Sequence, residues 1–472
     1  MAKKADNKTP YPERVMKTFN KTLIATALMA VSAGSSAAGF LLNETSVSGL
    51  GRAFAGEGAA ADDAAVLARN PAAMALFDQT SLSLAGTYID PGVDMRGVSS
   101  PLGSDPSALN IDGAAPEAFV PAAYLIMPLS DRVAIGFAGY SNFGLGTDFG
   151  DNYPAGTIAG STDLVTLNFN TSVSYRINDK LSLGLGLNAV YGDAELIRHF
   201  GETAPLLNGM IDANLGPAAG LVPDLEPASV SGKMAGDGWG FGFNVGVLYE
   251  LSKDHRVALT YKSKTTIELE GHYTNDLAAG IATDALVGVG SAKVDGSLDL
   301  DLPDVIEFSG YHKVSDQVIL HTTVMWSGWS VFEELRGVAD GDTTLEGALC
   351  ANGNPACQIQ DGQTLLLKEE NFENAWRFGL GMTYLMSDEF TLRAGVAYDE
   401  TPIPETHRTV SIPDSDRIWY SFGANYKLSD RSDIDLAFTF IDGEEVRVEE
   451  DGYVLKSEGN AFLIGAQYNY RF

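Results

Sequence analysis

The sequence predicts an all-β protein, a transmembrane antiparallel β-barrel of about 14 strands with an N-terminal hatch, or plug, inside the lumen. Apolar residues alternate with small or polar residues from Thr80 to the C-terminus, as in strands with one apolar face. Short polar turns and long connections follow one another along this part of the chain. The segment 38–79 is rich in Gly and Ala and has neither alternation nor a helical stripe. We therefore assign 38–79 to the hatch and 80–472 to the barrel with long extracellular loops.

Residues 1–37 are typical of a secretory signal peptide. Six basic residues precede an apolar stretch at 23–31, and small residues follow it at 35–38, which predicts cleavage after Ala37. A membrane anchor is the alternative, but this stretch is shorter than the roughly 20 residues of a spanning helix.

The chain is strongly acidic. Without the leader's six basic and two acidic residues, the totals of 31 and 62 fall to 25 and 60, a formal charge of −35. Nucleic-acid binding depends on basic patches, so this balance argues against nucleic acid as a partner. We interpret the acidity as a solvated surface, and acidic loops that bind lipopolysaccharide through divalent cations are the alternative.

Alternation is clearest at 239–251, where aromatic and aliphatic residues share one face while Gly and Asn share the other. The stretches 181–191 and 376–384 repeat this pattern. A soluble β-sandwich alternates in the same way, but aromatic residues at the strand ends favour a membrane barrel.

Breaks between these stretches give the strand number. Six polar breaks predict hairpin turns, at 129–132, 178–180, 252–255, 315–317, 387–389 and 428–431. With a first strand near 80–89 and a last near 459–472, they make about 14 strands, an even number as in bacterial barrels. Long connections are predicted at 91–116, 148–160, 201–236, 275–293, 337–368, 401–413 and 442–456. Apolar residues at 206–225 and 277–289 fit short helices that offer a ligand a hydrophobic landing site, and loop residues that pack only on each other are the alternative.

The connection 337–368 contains both cysteines. Cys350 and Cys357 lie close together in an exported chain, so a local disulfide is the expected arrangement.

Motifs for catalysis or cofactor binding are not found in the sequence. It contains no G-x-S-x-G, H-E-x-x-H or P-loop motif, and its six histidines lack metal-ligand spacing. We therefore predict no enzyme activity, no cofactor and no metal site. A barrel lipase or protease would need a Ser/His or Asp/His constellation, which we cannot assemble.

The last strand alternates apolar with small or polar residues up to the terminal Phe472. A terminal aromatic residue after such alternation is typical of the strand end used in outer-membrane assembly. We expect the barrel assembly machinery to bind through Phe472.

The hatch segment contains several specific residue runs. They are Gly39-Phe40, Leu42-Asn43-Glu44, Ser48-Gly49-Leu50-Gly51-Arg52-Ala53, Gly56-Glu57-Gly58, Ala61-Asp62-Asp63-Ala64 and Asn70-Pro71-Ala72. With further matches up to the last residue, the chain resembles the FadL family, the long-chain fatty acid transporters of the bacterial outer membrane. The resemblance covers nearly all of the mature chain. It implies a plugged barrel in the outer membrane of a Gram-negative bacterium, able to work as a monomer.

The resemblance also implies a ligand pocket. Ser141, Arg198 and Lys368 match family positions that line the high-affinity pocket and contact the fatty acid carboxylate. Arg198 would supply a bidentate fork and Lys368 a mobile point charge. In the alternative, both cations stand at loop bases, in solvated ion pairs with Glu195 or Glu369.

A gap in the barrel wall is a further implication. In the family, the strand that contains Ser141 is kinked inward beside the hatch. Asn142, Phe143 and Gly144 would form the matching bulge in this chain. An ordinary glycine-bearing strand end is the alternative.

Two parts of the chain would connect the hatch to this wall. Asn70-Pro71-Ala72 matches the stiff hatch tip that meets the wall in the family. Asp399 matches a position near the hatch and would tether it, and an ordinary ion pair with Arg393 or Arg377 is the alternative.

These features predict passive, gradient-driven uptake of long-chain fatty acids. The ligand would bind at the extracellular loops, pass to the carboxylate pocket, and leave sideways through the kinked strand after the hatch moves. Uptake of uncharged hydrocarbons, alkanes or aromatics, is the alternative, although burying unpaired cations beside a hydrocarbon is costly. An outer-membrane enzyme and a receptor barrel are the remaining alternatives.

Overall fold

The computed structural model describes residues 39–283, 286–351 and 353–472. The predicted signal peptide, 1–37, and its cleavage site lie outside the described residues. Fourteen spanning strands form one closed antiparallel barrel, in which the first and last strands pair from Ser81 with Arg471 to Ser99 with Val454. The predicted fold class, the strand number and the hatch inside the lumen are confirmed.

Each spanning strand has one outward and one inward face. Six of them consist of two segments, because a bulge, a proline or a short turn interrupts the ladder. The strands are β1 (Ser81–Ser99), β2 (Ala118–Pro128), β3 (Val133–Tyr140 and Gly144–Asp148), β4 (Gly160–Arg176), β5 (Leu181–His199), β6 (Val230–Ser252), β7 (His255–Lys262 and Thr265–Thr274), β8 (Val294–Leu302 and Val305–Lys313), β9 (Val318–Ser327 and Glu334–Ala339), β10 (Thr364–Glu369 and Ala375–Leu385), β11 (Phe390–Asp399), β12 (Arg417–Ser429), β13 (Ser432–Gly443 and Val446–Glu450) and β14 (Tyr453–Arg471).

The two ends of the barrel differ in the length of their connections. Each of the six predicted hairpin turns joins two strands at one end, from β2–β3 to β12–β13. The opposite end has six long connections, at 100–117, 149–159, 200–229, 275–293, 340–363 and 400–416. The connection 200–229 contains a 12-residue helix, Ala204–Leu215.

The seventh predicted long connection, 442–456, is wrong. β13 and β14 extend through this stretch and meet at a two-residue turn, Asp451 and Gly452. Both turn residues have positive φ, 48° and 82°, as in a type I′ hairpin. Buried Val448 alternates with exposed charged neighbours, and the high charge of this stretch concealed its period-2 pattern in the sequence.

The outer surface of the barrel carries the apolar faces of the strands. On β6, the outward side chains from Trp239 to Leu251 are 37% to 73% exposed. On the inward face, Asn244 is buried and accepts hydrogen bonds from Asn170 at 3.0 Å and Asn188 at 3.1 Å. Among the described residues, no helix has the length and hydropathy to cross a bilayer. An apolar outside and a polar inside distinguish a membrane barrel from a soluble sandwich.

The hatch lies in the barrel interior. It contains α1 (Val47–Leu50), α2 (Glu57–Ala60) and two 3₁₀ helices, Ala64–Ala68 and Pro71–Leu76. The side chains of Ser46, Asp63 and Asn70 cap three of these helices by accepting hydrogen bonds from backbone N–H groups. These helices are short, so side-chain caps and the surrounding wall fix the conformation of the hatch more than helix propensity does.

Glycines on the wall allow the hatch backbone to lie against the barrel. A Cβ atom on Gly395 of β11 would overlap the backbone of Arg52, and one on Gly184 of β5 would overlap the backbone of Ala72. Only glycine permits so close an approach of two backbones.

The disulfide-bonded connection packs against its neighbour. Cys350 and Cys357 form a disulfide with their Cα atoms 5.6 Å apart. Buried Cys357 belongs to an apolar cluster with Val289 of the connection 275–293. The amide of Asn354 donates to the carbonyl oxygen of Gly280 at 3.1 Å. The disulfide therefore stabilises a contact between two long connections.

The Gly395 contact generates the first prediction. Gly395→Ala is expected to displace the hatch backbone at Arg52 and to destabilise the closed hatch by about 1–3 kcal/mol, because the wall cannot absorb an added methyl group. Hydrogen exchange of hatch amides in the purified barrel measures this. Gly139→Ala is the control, since no atom lies within 4 Å of its added Cβ. Equal hatch protection in the two variants would contradict the prediction.

Candidate ligand-binding site

An apolar cavity lies inside the barrel, between the hatch and the long connections. It encloses about 750 Å³, part of it open to solvent. Phe40 of the hatch lines it together with apolar side chains of several strands, of the interruption in β9 and of the connection 400–416, among them Leu145, Leu164, Leu269, Leu298, Leu300, Phe332 and Ile412. Its size and apolar lining are those of a site for a small hydrophobic ligand.

Phe40 is the centre of an aromatic cluster at this cavity. Its ring centroid lies 4.5 Å from that of Trp329, 5.3 Å from that of Phe332 and 6.4 Å from that of Phe372. The ring of Phe143 in β3 lies 6.2 Å away. Sequence analysis missed these partners, because Trp329, Phe332 and Phe372 stand where β9 and β10 are interrupted and strand alternation stops.

Arg198 lies near the end of β5, beside the cavity. Its side chain is buried, and its guanidinium donates to the carbonyl oxygens of Ser161 at 3.1 Å and Ile197 at 2.8 Å. A third hydrogen bond, of 3.2 Å, goes to the hydroxyl of Thr162, which lines the cavity. All three acceptors are neutral.

Lys368 lies on β10 and faces the same region. Its ammonium donates to the hydroxyl of Ser411 and lies 3.6 Å from Oε1 of Glu370 and 3.7 Å from Oε1 of Glu450. These two carboxylates also act electrostatically on Arg198. The structure thus brings Arg198, Lys368, Glu370 and Glu450 together, and we call these four side chains the charged cluster.

The expected alternative partners of the cations have other contacts, although Glu195 also lines the cavity. Glu195 pairs with Lys233 at 2.6 Å, and Glu369 is exposed. Since Glu370 and Glu450 take their places, the cations of the charged cluster are not in the solvated ion pairs of the alternative interpretation.

Ser141 is not part of the charged cluster. Its hydroxyl donates to the carbonyl oxygen of Thr166 at 2.5 Å. Thr166 is six residues along β4 from Gly160, the partner of Arg198, which corresponds to about 20 Å of strand. At this separation, Ser141 and Arg198 cannot contact the same ligand carboxylate, so the expectation that they share it does not fit the structure.

Ser141 instead begins the interruption of β3. Tyr140 pairs with Asn168 of β4 and Gly144 with Val165, so the β3 side contains one extra residue, as in a β-bulge. The hydroxyl of Thr166 accepts from the N–H of Phe143 at 3.1 Å and donates to its carbonyl oxygen at 2.6 Å. A side chain thus replaces ladder hydrogen bonds at this point.

The wall between β2 and β3 is incomplete beyond this bulge. The pairing of β2 with β3 ends at Ala122 and Tyr140, and the second segment of β3 pairs only with β4 among the described strands. The hatch covers the break from inside. The N–H of Leu42 donates to the carbonyl oxygen of Asn142 at 3.0 Å, and the N–H of Gly144 donates to that of Phe40 at 2.9 Å.

Asn70-Pro71-Ala72 lies at another part of the wall. Its backbone approaches Gly184 of β5, and the amide oxygen of Asn70 lies against Gly246 of β6. That oxygen accepts from the N–H of Ala72 at 2.9 Å, and the amide nitrogen donates to the carbonyl oxygen of Gly58 at 2.8 Å. This tip is rigid, but residues 40–42 and not 70–72 contact the break in β3.

Asp399 acts on the hatch through Arg377. The two side chains form a buried ion pair of 2.8 Å. The guanidinium of Arg377 also donates to the carbonyl oxygen of Ala53 in the hatch at 3.3 Å and lies 4.4 Å from the ring of Trp419. Asp399 therefore fits both interpretations: it forms an ion pair with Arg377, and this ion pair holds the side chain that binds the hatch.

The hatch contains buried carboxylates beside arginines. Burial raises the pKa of Glu57 to about 7, although Arg69 and the hydroxyl of Ser46 favour its charged form. Burial also raises the pKa of Asp63 to about 6. Both groups hold protons in the closed hatch at pH values where exposed carboxyl groups have lost them.

No group of three or more His, Cys, Asp or Glu side chains in the described ranges is arranged to hold a metal ion.

The chain matches the family described as outer membrane protein transport protein (OMPP1/FadL/TodX) over residues 28–472. It belongs to this family. As a FadL-family member, it is a protein of the outer membrane.

Relatives of known name match along almost their whole length. The chain is 40% identical over 464 residues to the long-chain fatty acid transport protein of Escherichia coli O6:H1, with 96% of this chain and 99% of the relative covered. It is 35% identical over 491 residues to outer membrane protein P1 of Haemophilus influenzae, with 97% and 100% covered.

Solved structures of the FadL family show the same fold. A Pseudomonas aeruginosa FadL homologue has a TM-score of 0.75 and 24% identity, covering 92% of this chain and 100% of that one. The toluene transporter TodX of P. putida has a TM-score of 0.60 and 17% identity, with 87% and 94% covered.

The raised pKa values in the hatch predict a pH dependence. Because the pKa of Glu57 rises from 4.5 to about 7, the closed hatch binds more protons than an opened hatch between these values. Its stability is therefore expected to fall as pH rises through this window, by about 3 kcal/mol from Glu57, and Asp63 acts in the same direction. Hydrogen exchange of hatch amides between pH 5 and 8, corrected for intrinsic rates, measures this.

Glu57→Gln, which stays neutral, is expected to remove most of this slope. The exposed Glu346→Gln is the matched control and is expected to keep it. A wild-type hatch whose stability is constant or increases with pH would contradict the assignment.

Proposed function

We propose that this chain takes up long-chain fatty acids across the outer membrane by passive, gradient-driven transport and has no catalytic role. One observation supports this above all: two cations lie next to residues that line an apolar cavity, since Arg198 donates to Thr162 and Lys368 shares a strand face with Leu366. An amphipathic anion needs both parts, an apolar surface for its chain and cationic donors for its carboxylate. The relatives named long-chain fatty acid transport proteins favour the same substrate class.

In this proposal, the long connections at the extracellular end capture the ligand. The helix Ala204–Leu215 exposes Leu206 and Met210, and its other side packs on apolar residues of the connection 275–293. An exposed apolar surface next to the barrel mouth suits a hydrophobic chain arriving from water. Lipopolysaccharide contacts, assembly through Phe472 and a monomeric state stay predictions.

Release would follow the incomplete wall between β2 and β3. The hatch covers this break through backbone hydrogen bonds of residues 40–42, so their loss would open a path from the cavity to the bilayer. Ser141 belongs to this gate in our proposal, because its hydroxyl fixes the break to β4. Asn142, Phe143 and Gly144 form its edge, and Asn70-Pro71-Ala72 and Asp399 hold the hatch in register.

The charged cluster predicts carboxylate selectivity. Oleate is expected to bind the detergent-purified barrel at least tenfold more tightly than methyl oleate or a matched alkane, because charge-assisted hydrogen bonds are worth about 1.5–3 kcal/mol. Arg198→Ala with Lys368→Ala is expected to abolish the difference. Lys456→Ala, which removes an exposed cation of β14 outside the charged cluster, is the control. Equal binding of all three ligands to the wild type would make the chain a hydrocarbon channel.

The gate predicts that a hatch cross-link blocks uptake. Leu41 and Phe143 face each other in an antiparallel bridge. They form a non-hydrogen-bonded pair, which places Cα atoms about 4.5 Å apart, within disulfide range. Leu41→Cys with Phe143→Cys is expected to stop oleate uptake by cells when oxidised and to restore it on reduction. Each single variant controls for the substitution, and unchanged uptake by the oxidised double variant would refute a gate at this break.

A further inference from the structure

The charged cluster contains a carboxylate for which the proposed transport gives no role. Glu370 is completely buried, and neither of its carboxylate oxygens has a hydrogen-bond partner in the described part of the chain. The ammonium of Lys368, at 3.6 Å, is beyond hydrogen-bond length. A buried carboxylate without hydrogen bonds is unfavourable, so a specific electrostatic role of Glu370 has to offset its cost.

Charged groups from three strands face Glu370. They are Lys368 on its own strand, Arg198 on β5 and Glu450 on β13. Glu333 contacts it only through its backbone carbonyl, which accepts from the N–H of Glu370 at 2.8 Å. With all four side chains ionised, the two cations and two carboxylates give the cluster no net charge before a ligand binds.

A fatty acid carboxylate would add a third negative charge to this neutral cluster. An unbalanced charge in a buried site is strongly unfavourable, and such sites take up or release a proton instead. Glu450 is poorly suited to accept the proton, because its Oε2 already accepts from the N–H of Val410 at 2.7 Å and its side chain is 16% exposed. Neither carboxylate oxygen of Glu370 accepts a hydrogen bond from a described residue, so its charge is less stabilised than that of Glu450.

We propose that Glu370 takes up one proton from water when an anionic ligand binds, so that capture of each fatty acid anion is coupled to uptake of one proton. This inference rests on the proposed function. The proton is transferred to a carboxylate oxygen of Glu370, the ligand stays anionic, and the cluster stays neutral. Lys368 then pairs with the ligand in place of Glu370, whose new O–H is a donor.

Coupling to one proton has a measurable consequence. Where Glu370 is charged before binding and neutral afterwards, the affinity for the anion falls about tenfold for each unit of pH increase. A site that paired the ligand carboxylate with two free cations would bind the anion with the same affinity over the pH range in which Glu370 is charged before binding.

Calorimetric titration of the full-length, detergent-purified barrel tests the proposal. Oleate, an alkyl sulfonate that is anionic at every pH used, and methyl oleate are each titrated in two buffers of equal pH and different ionisation enthalpy. The wild type is expected to take up about one proton per bound anion and none with the neutral ester. The sulfonate excludes protonation of the ligand as the source of this signal.

The variants test the charge balance of the cluster. Glu370→Gln is expected to bind both anions without proton uptake and without pH dependence, whereas the adjacent, exposed Glu369→Gln keeps both. Glu450→Gln also leaves the cluster with one negative charge fewer, so it is expected to bind the anions with reduced proton uptake. Anion binding to the wild type without proton uptake, or uptake that persists in Glu370→Gln, overturns the proposal. Binding of the ester without binding of either anion would instead overturn the proposed function.

Discussion

Pairing of buried charges across the boundary between hatch and wall is the constraint on which this structure depends. Asp62 of the hatch lies between Arg52 of the hatch and Arg393 of β11, which in turn pairs with Asp435 of β13. Asp62 is partly exposed, but Arg52 and Arg393 are buried, and removing the partner of a buried charge costs about 3–5 kcal/mol because that charge is left without compensation. The hatch cannot shift by one residue without separating such pairs, so they fix its register in the barrel.

A second set of charges anchors the other half of the hatch. Arg69 of the hatch lies 3.4 Å from Glu307 on β8. Arg256 on β7 donates to the carbonyl oxygens of Ala59 and Ala60. Small side chains and wall glycines bring the backbones close enough for these contacts. A hatch rich in Gly and Ala therefore follows from the same constraint, since bulky side chains would hold the charges apart.

The first residues of the hatch connect the cavity with the break in the wall. Phe40 contacts the aromatic cluster of the cavity, while the backbone of residues 40–42 pairs with residues 142–144 of β3. A ligand that displaces the ring of Phe40 thus acts on the segment that covers the break. In the proposed transport, the site and the gate share one short stretch of backbone, which would couple them without a long pathway.

Strand alternation predicted the barrel, because alternation reports which face of a strand meets lipid. It failed at 442–456, where charged residues occupy the outward face beyond the membrane. Family resemblance located Arg198 and Lys368, but their partners Glu370 and Glu450 come from positions that neither alternation nor spacing connects. Trp329 and Phe372 were missed for a related reason, since interrupted strands lack a period. Contacts between distant strands depend on barrel closure, which a local pattern does not encode.

The charged cluster changes the argument about ligand selectivity. Cations beside an apolar cavity favour an acid over a hydrocarbon when the cations are otherwise unpaired, because an uncharged ligand would leave their charge uncompensated. In this structure, Lys368 already has Glu370 and Glu450 as counter-ions. A hydrocarbon could therefore occupy the cavity without leaving a buried charge unpaired. The presence of the cations alone does not make the site selective for an acid. Selectivity depends on whether Lys368 pairs more favourably with a ligand carboxylate than with Glu370.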